Sequence, residues 1–196
     1  MEEKELIFIQ GLSVYFEIGK DMSLIKIFIL SVNKLNDLLG NIISVLVFIM
    51  MGSLLWEVIM RYFVNRPTIW AHELSAMIYA VYFLLGGAYT LRWNGHINME
   101  IFYVRLSKRK RAILDLITWI LFYLFIFIML WDGVKFALTS IMYMEHSMSP
   151  WEPPIWPVKL CIPFAGFLML LQGLAKTLND IFIAVTGGEV ISEMQR

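Results

Sequence analysis

The stretch from Leu38 to Met60 decides the fold class, and it reads LLGNIISVLVFIMMGSLLWEVIM. Glu57 is its single charged residue and lies close to its end. The hydrocarbon core of a bilayer is about 30 Å thick and is crossed by a helix of about 20 apolar residues. This stretch therefore predicts a membrane-spanning helix.

Three further stretches have the same character and predict three more spans, at about 69–91, 113–131 and 158–178. In lipid the backbone must satisfy its own hydrogen bonds, which a helix does within one segment. We therefore expect an all-α integral membrane protein with four transmembrane helices.

The composition supports this class. The chain has 196 residues, of which 59% are hydrophobic and 16% charged, whereas soluble domains carry about 25% charged residues. This balance argues against a disordered chain, a nucleic-acid-binding protein and a soluble enzyme. The single cysteine, Cys161, cannot form an internal disulfide bond.

The orientation follows from the distribution of lysine and arginine, which favour cytoplasmic connections. The N-terminal region, the second connection and the C-terminal end together hold twelve of these residues, against four on the other side. We therefore expect both termini in the cytoplasm. Tryptophan prefers the headgroup layer, and the predicted anchors at the outer boundary are Trp56, Trp131, Trp151 and Trp156.

The spans imply three regions: a cytoplasmic segment 1–37, a membrane domain 38–183 and a cytoplasmic tail 184–196. Apolar residues recur at near-helical spacing in residues 21–37, which predicts an amphipathic helix in the inner interface; a mobile tail is the alternative. Residues 98–106 are a candidate for a second, shorter interfacial helix.

The chemistry of a carrier or an enzyme is not evident. Every charged residue falls in the first or last turns of its predicted span, and Gln172 is the only strongly polar side chain near a helix centre. No inverted repeat of broken helices, metal-ligand spacing or phosphate loop is present. We therefore predict no catalytic, cofactor-binding, metal-binding or substrate-binding residue in this chain.

Small residues suggest close helix packing. Ala76, Ala80 and Gly87 share one face of the second span, and Gly166 and Gly173 do so in the fourth. Such residues let membrane helices approach closely. They predict either an interface with a partner helix or packing within the four-helix unit, and the sequence leaves both open.

Acidic and basic residues cluster at the predicted outer boundary. Glu57 and Arg61 are four residues apart, a favourable order for a helical ion pair, and Glu73 lies at a similar depth in the next span. We expect these three side chains to form one cluster, either as a solvated ion pair or as a contact to another subunit.

Several short motifs occur in a characteristic order: Arg61-Tyr-Phe-Val-Asn65, Trp70-Ala-His-Glu73, Gly86-Gly87 and Gly95-His96-Ile97-Asn98-Met99-Glu100. In this order they resemble the small membrane subunit, of the DctQ type, of tripartite ATP-independent periplasmic (TRAP) transporters. The motif positions that this resemblance marks as structural are Arg61, Asn65, Trp70, Glu73, Gly87, His96 and Glu100.

The resemblance implies a function. Such a subunit pairs with a large membrane subunit, which carries the substrate by an elevator motion coupled to sodium, and a periplasmic binding protein delivers the substrate. It implies a non-catalytic scaffold in a bacterial inner membrane for uptake of an organic acid, with sodium coupling in the partner and membrane lipids around it. The alternatives are a self-contained homodimeric secondary transporter and the membrane anchor of a redox enzyme.

Overall fold

The structure, a computed structural model, describes residues 2–93 and 108–186, and among these the chain forms four helices and no strand. The helices are α1 (Glu2–Tyr62), α2 (Ala71–Arg92), α3 (Lys108–Met142) and α4 (Trp156–Thr186). All four contain a segment long and apolar enough to cross a membrane. The predicted all-α architecture with four membrane helices is therefore confirmed, whereas the cytoplasmic location of the termini stays a prediction.

The first helix differs from the expectation of two separate elements. Residues 21–37 are helical as predicted, but α1 continues without a break into the first span. Residues 21–60 contain no proline, so no backbone N–H is missing from the helix at this point. Ile29 and Val32 also pack against Ala175 of α4, which stabilises the helical conformation of this segment. The boundary at residue 37 thus does not coincide with a helix end, and a position in the inner interface stays a prediction.

The third helix is longer than the predicted span. It was expected to end at Trp131, where charged residues begin, but it continues to Met142. Gly133 lies within this extension, and a Cβ built on it would come within 3.0 Å of Ile162 in α4. Packing against α4 therefore keeps the segment helical through Asp132 and Lys135. The second candidate interfacial helix, 98–106, lies outside the described residues.

The helix α4 holds the bundle together. It packs against α3, α2 and α1, while α1 and α2 also pack against each other. The α3 helix packs mainly against α4 and keeps a wide apolar surface on its other sides. We call the end of the bundle with the 61–70 and 143–155 connections the hairpin end, and the opposite end the Arg92 end.

Candidate functional site

Glu57 organises the hairpin end of α1. Its carboxylate accepts hydrogen bonds from Arg61 Nε at 2.9 Å and from the backbone N–H of Thr68 at 2.9 Å, and the Thr68 hydroxyl also donates to it. The carboxylate therefore ties the last turns of α1 to the connection that follows. Asn65 stands at the turn of that connection with φ 54°, a left-handed conformation that asparagine tolerates better than most residues.

The sequence predicted that Glu73 would join this group, but in the structure it contacts a different connection. Its carboxylate accepts a hydrogen bond from the Ser149 hydroxyl, in the connection between α3 and α4. Trp70 directly precedes α2, and its carbonyl accepts a 2.9 Å hydrogen bond from the backbone N–H of Leu74. Glu57 and Glu73 therefore fix two different connections, because α2 directs Glu73 towards residues 143–155.

The 143–155 connection has a hairpin-like shape. The backbone N–H of Ser147 donates to the Pro153 carbonyl at 2.9 Å, and that of Ile155 to the Glu145 carbonyl at 3.0 Å. The Lys159 ammonium lies 2.6 Å from the Glu145 carboxylate and lowers the pKa of that carboxyl group. The proline-rich outer connection is thus folded back on itself and attached to both α2 and α4.

A buried amide network holds the Arg92 end. Asn36 Nδ2 donates to Gln172 Oε1 at 2.7 Å, and Gln172 Nε2 donates to Asn33 Oδ1 at 3.0 Å. Asn36 and Gln172 are each only 1% exposed. Arg92 of α2 donates to the Asn33 carbonyl at 2.6 Å and forms an ion pair with Asp37. Three helices are therefore joined at one level.

Sequence reasoning singled out Gln172 but missed its partners. Asn33 and Asn36 lie three residues apart, which places them on one side of a helix. Because the first span is predicted to start at Leu38, the sequence analysis assigns both asparagines to a separate interfacial helix and does not predict their contact with Gln172. Also at the Arg92 end, Trp119 Nε1 donates to Asp180 at 2.8 Å, which links α3 to α4.

The predicted small residues lie at close contacts inside the chain. A Cβ at Gly87 would stand 3.2 Å from the Met169 sulfur, one at Gly166 3.0 Å from Leu130, and one at Gly173 2.6 Å from Phe122. These three glycines thus permit close packing within the four-helix unit, which is one of the two alternatives that the sequence left open.

The other predicted positions are placed as follows. Ala76 is exposed on α2 and Ala80 is half-buried, so their role in a partner interface stays a prediction. Trp56 and Trp131 are exposed on the membrane helices, whereas Trp151 and Trp156 are half-buried near the hairpin end. His96 and Glu100 lie outside the described residues.

Two charged residues that the sequence analysis placed outside the third span lie within α3. Asp132 and Lys135 are exposed on α3, and the helix continues to Met142 beyond them. Whether they lie within the membrane stays a prediction. Among the residues that the structure describes, no group of three His, Cys, Asp or Glu side chains could hold a metal ion.

The sequence profile of the DctQ component of tripartite ATP-independent periplasmic transporters matches residues 33–182. This match includes α2 and α3, large parts of α1 and α4, and most of the chain. The chain belongs to the DctQ family. The family resemblance noted in the short motifs is thereby confirmed.

A relative in Vibrio cholerae serotype O1, the sialic acid TRAP transporter small permease protein SiaQ, is 25% identical over 91 residues. The aligned region is 44% of this chain and 53% of the relative, so the chain spans about half the length of the curated relative that it matches. Family membership and four helices able to cross a membrane make this DctQ protein a multi-pass inner-membrane protein and a component of a TRAP transporter.

Proposed function

We propose that this DctQ protein is the non-catalytic small subunit of a TRAP transporter and acts as a static scaffold for the large, elevator-type membrane subunit. The observation that carries this proposal is the attachment of the helices to one another at both ends of the bundle. Glu57 and Glu73 hold the connections at one end, and the Asn36–Gln172 pair with Arg92 holds the other.

Such attachment suits a brace. A scaffold must keep its position while its neighbour moves through the bilayer, and contacts at two levels oppose both sliding and splaying of the helices. An exposed aromatic side chain such as Trp56 would resist tilting, because indole rings anchor helices at the membrane surface.

We further propose that the transporter takes up an organic acid with sodium, and that the hairpin end helps to dock the periplasmic binding protein. The small permease from Vibrio cholerae is named for sialic acid, which is an organic acid. The 143–155 connection supports the docking role, because it is tied to Glu73 and to Lys159 and exposes Tyr143 and Met148. A fixed, partly apolar surface is suited to a protein partner.

The test is co-expression with a tagged large TRAP subunit, followed by purification in mild detergent and reconstitution into liposomes. We expect the two chains to purify together, and sodium-dependent uptake only when both chains and the binding protein are present. Uptake by this chain alone, lost when Glu57 or Glu73 is neutralised, would instead support a self-contained transporter. A cofactor spectrum in the purified chain would support a redox anchor.

A further inference from the structure

Asp132 is a carboxylate on the surface of a membrane helix. Its side chain is exposed, and no hydrogen bond or ion pair joins it to any other residue that the structure describes. The helix α3 continues for ten residues beyond it, to Met142. Asp132 is therefore not at the end of its helix, where water would be close.

The packing against α4 gives the depth of Asp132. The neighbouring Gly133 lies against Ile162, and Ile162 is six residues after the start of α4 at Trp156. At 1.5 Å per residue this is about 10 Å along the helix. Asp132 thus lies well inside the length of α4.

The shortest helix shows where the boundary of the bilayer is. The 22 residues of α2 span about 33 Å, which is close to the thickness of the hydrocarbon core, so both of its ends lie near a boundary. Gly87 of α2 meets Met169 of α4, and these two helices run in the same direction. Gly87 is 16 residues after the start of α2 and Met169 is 13 residues after the start of α4, which is about 24 Å and about 20 Å along the two helices. The start of α4 therefore lies about 4 Å below that of α2, and Asp132 lies about 13 Å below that boundary.

The nearby Lys135 does not neutralise Asp132 in the structure. Its ammonium group lies 4.6 Å from the centre of the Trp131 ring, over its face. Ile128 and Phe125 lie one and two turns before Asp132 on the same side of α3, and both are exposed and apolar. The carboxylate thus has apolar neighbours on the side towards the middle of α3 and no ion pair with Lys135, a position in which ionisable groups are rare and normally paired.

We propose that the Asp132 face of α3, formed by Phe125, Ile128, Asp132 and Lys135, packs against a helix of the large transporter subunit that presents a basic side chain to Asp132. This inference rests on the proposed function, and it identifies the surface through which this chain would contact the large subunit. A cation from the partner would satisfy the carboxylate, and the apolar neighbours would exclude water from the pair.

The first experiment compares variants in the complex of this chain with a tagged large subunit. We expect Asp132→Leu and Asp132→Asn to lower the amount of chain recovered with the large subunit by about tenfold or more, because a basic group would be left buried without its partner. The matched control is Glu152→Gln, which removes an exposed acid from the 143–155 connection, and its recovery should equal that of the unmodified chain.

A second experiment measures depth and contact without depending on the charge change. In a Cys161→Ser background, Asp132→Cys should resist a membrane-impermeant maleimide in liposomes that hold this chain alone, whereas Met148→Cys in the exposed connection should react. A photo-crosslinking amino acid in place of Ile128 should join the large subunit, and mass spectrometry of the product should locate a basic residue near the joined position.

The outcomes separate this inference from the proposed function. If the unmodified chain does not purify with the large subunit, the scaffold proposal itself fails. If it does, but the Asp132 variants are recovered equally well and Ile128 yields no crosslink, only the assignment of this face is wrong. Rapid labelling of Asp132→Cys would show that α3 projects into water there and would overturn the argument from depth.

Discussion

The buried amide pair at the Arg92 end makes a quantitative prediction. Replacing Asn36 by leucine leaves the Gln172 carbonyl oxygen without its 2.7 Å donor in a place that is 1% exposed. An unsatisfied buried polar group costs about 1–3 kcal/mol, so Asn36→Leu should lower the free energy of unfolding by about that amount. Gln172→Leu should cost at least as much, because it also removes the hydrogen bond to Asn33.

The double variant distinguishes a specific pair from two independent positions. When both side chains are leucine, neither member of the pair is left as an unpaired amide, so the combined loss should be smaller than the sum of the single losses. Measured couplings between polar side chains of membrane helices average about 0.6 kcal/mol and reach about 1.7. We expect a coupling near the upper value, since both groups are almost fully buried.

The assay is reversible unfolding of the purified protein in mixed micelles, followed by helix content and by tryptophan fluorescence. Ser44→Ala is the control, because the Ser44 hydroxyl is exposed and bonds only to its own helix, at the Asn41 carbonyl; it should change stability by less than about 0.5 kcal/mol. Single losses that simply add in the double variant would refute the view that Asn36 and Gln172 act as one unit.

Two further predictions concern packing and charge. Gly173→Ala should lower the midpoint of thermal unfolding, because its Cβ would come within 2.6 Å of the Phe122 ring, whereas Gly52→Ala, with nothing within 4 Å, should leave it unchanged or raise it; equal effects would contradict the close contact. Lys159 lowers the folded-state pKa of Glu145, so the stability from this pair should be present at neutral pH and lost as the pH falls through that lowered pKa. Glu145→Gln should therefore reduce the loss of stability on acidification in pH-dependent thermal unfolding, and an unchanged pH profile would show that the ion pair contributes nothing.

The number and type of the helices could be predicted from the sequence because each span is a long apolar run. The ends of α3 could not, because Asp132 and Lys135 interrupt the apolar run without interrupting the helix. A charged residue in a sequence indicates only that its side chain is costly to bury. The contact between Gly133 and Ile162 depends on how α3 packs against α4, which the sequence of α3 alone does not give. The helix therefore continues through that packed segment to Met142, beyond the predicted end of the span at Trp131.

The pairing of polar side chains was predicted only within a helix. Glu57 and Arg61 are four residues apart, and their contact follows from helical geometry. Glu73 pairs with Ser149, 76 residues away, and Gln172 with Asn36, 136 residues away. Such pairs depend on how the helices are arranged relative to one another, and that arrangement is not encoded in the spacing of residues along one helix.

The two ends of the bundle limit the motions that remain open to it. A shift of one helical turn, about 5.4 Å, of α1 along α4 would break the Asn36–Gln172 hydrogen bond and leave both amides unpaired in an apolar surrounding. A similar shift of α2 would separate Arg92 from Asp37 at one end and Glu73 from Ser149 at the other. No equivalent contact holds Asp132 among the residues that the structure describes. The described part of the chain thus joins its helices through polar pairs at both ends and carries the unpaired Asp132 on the outer surface of α3, which is the pattern expected of a rigid subunit that completes its contacts in a complex.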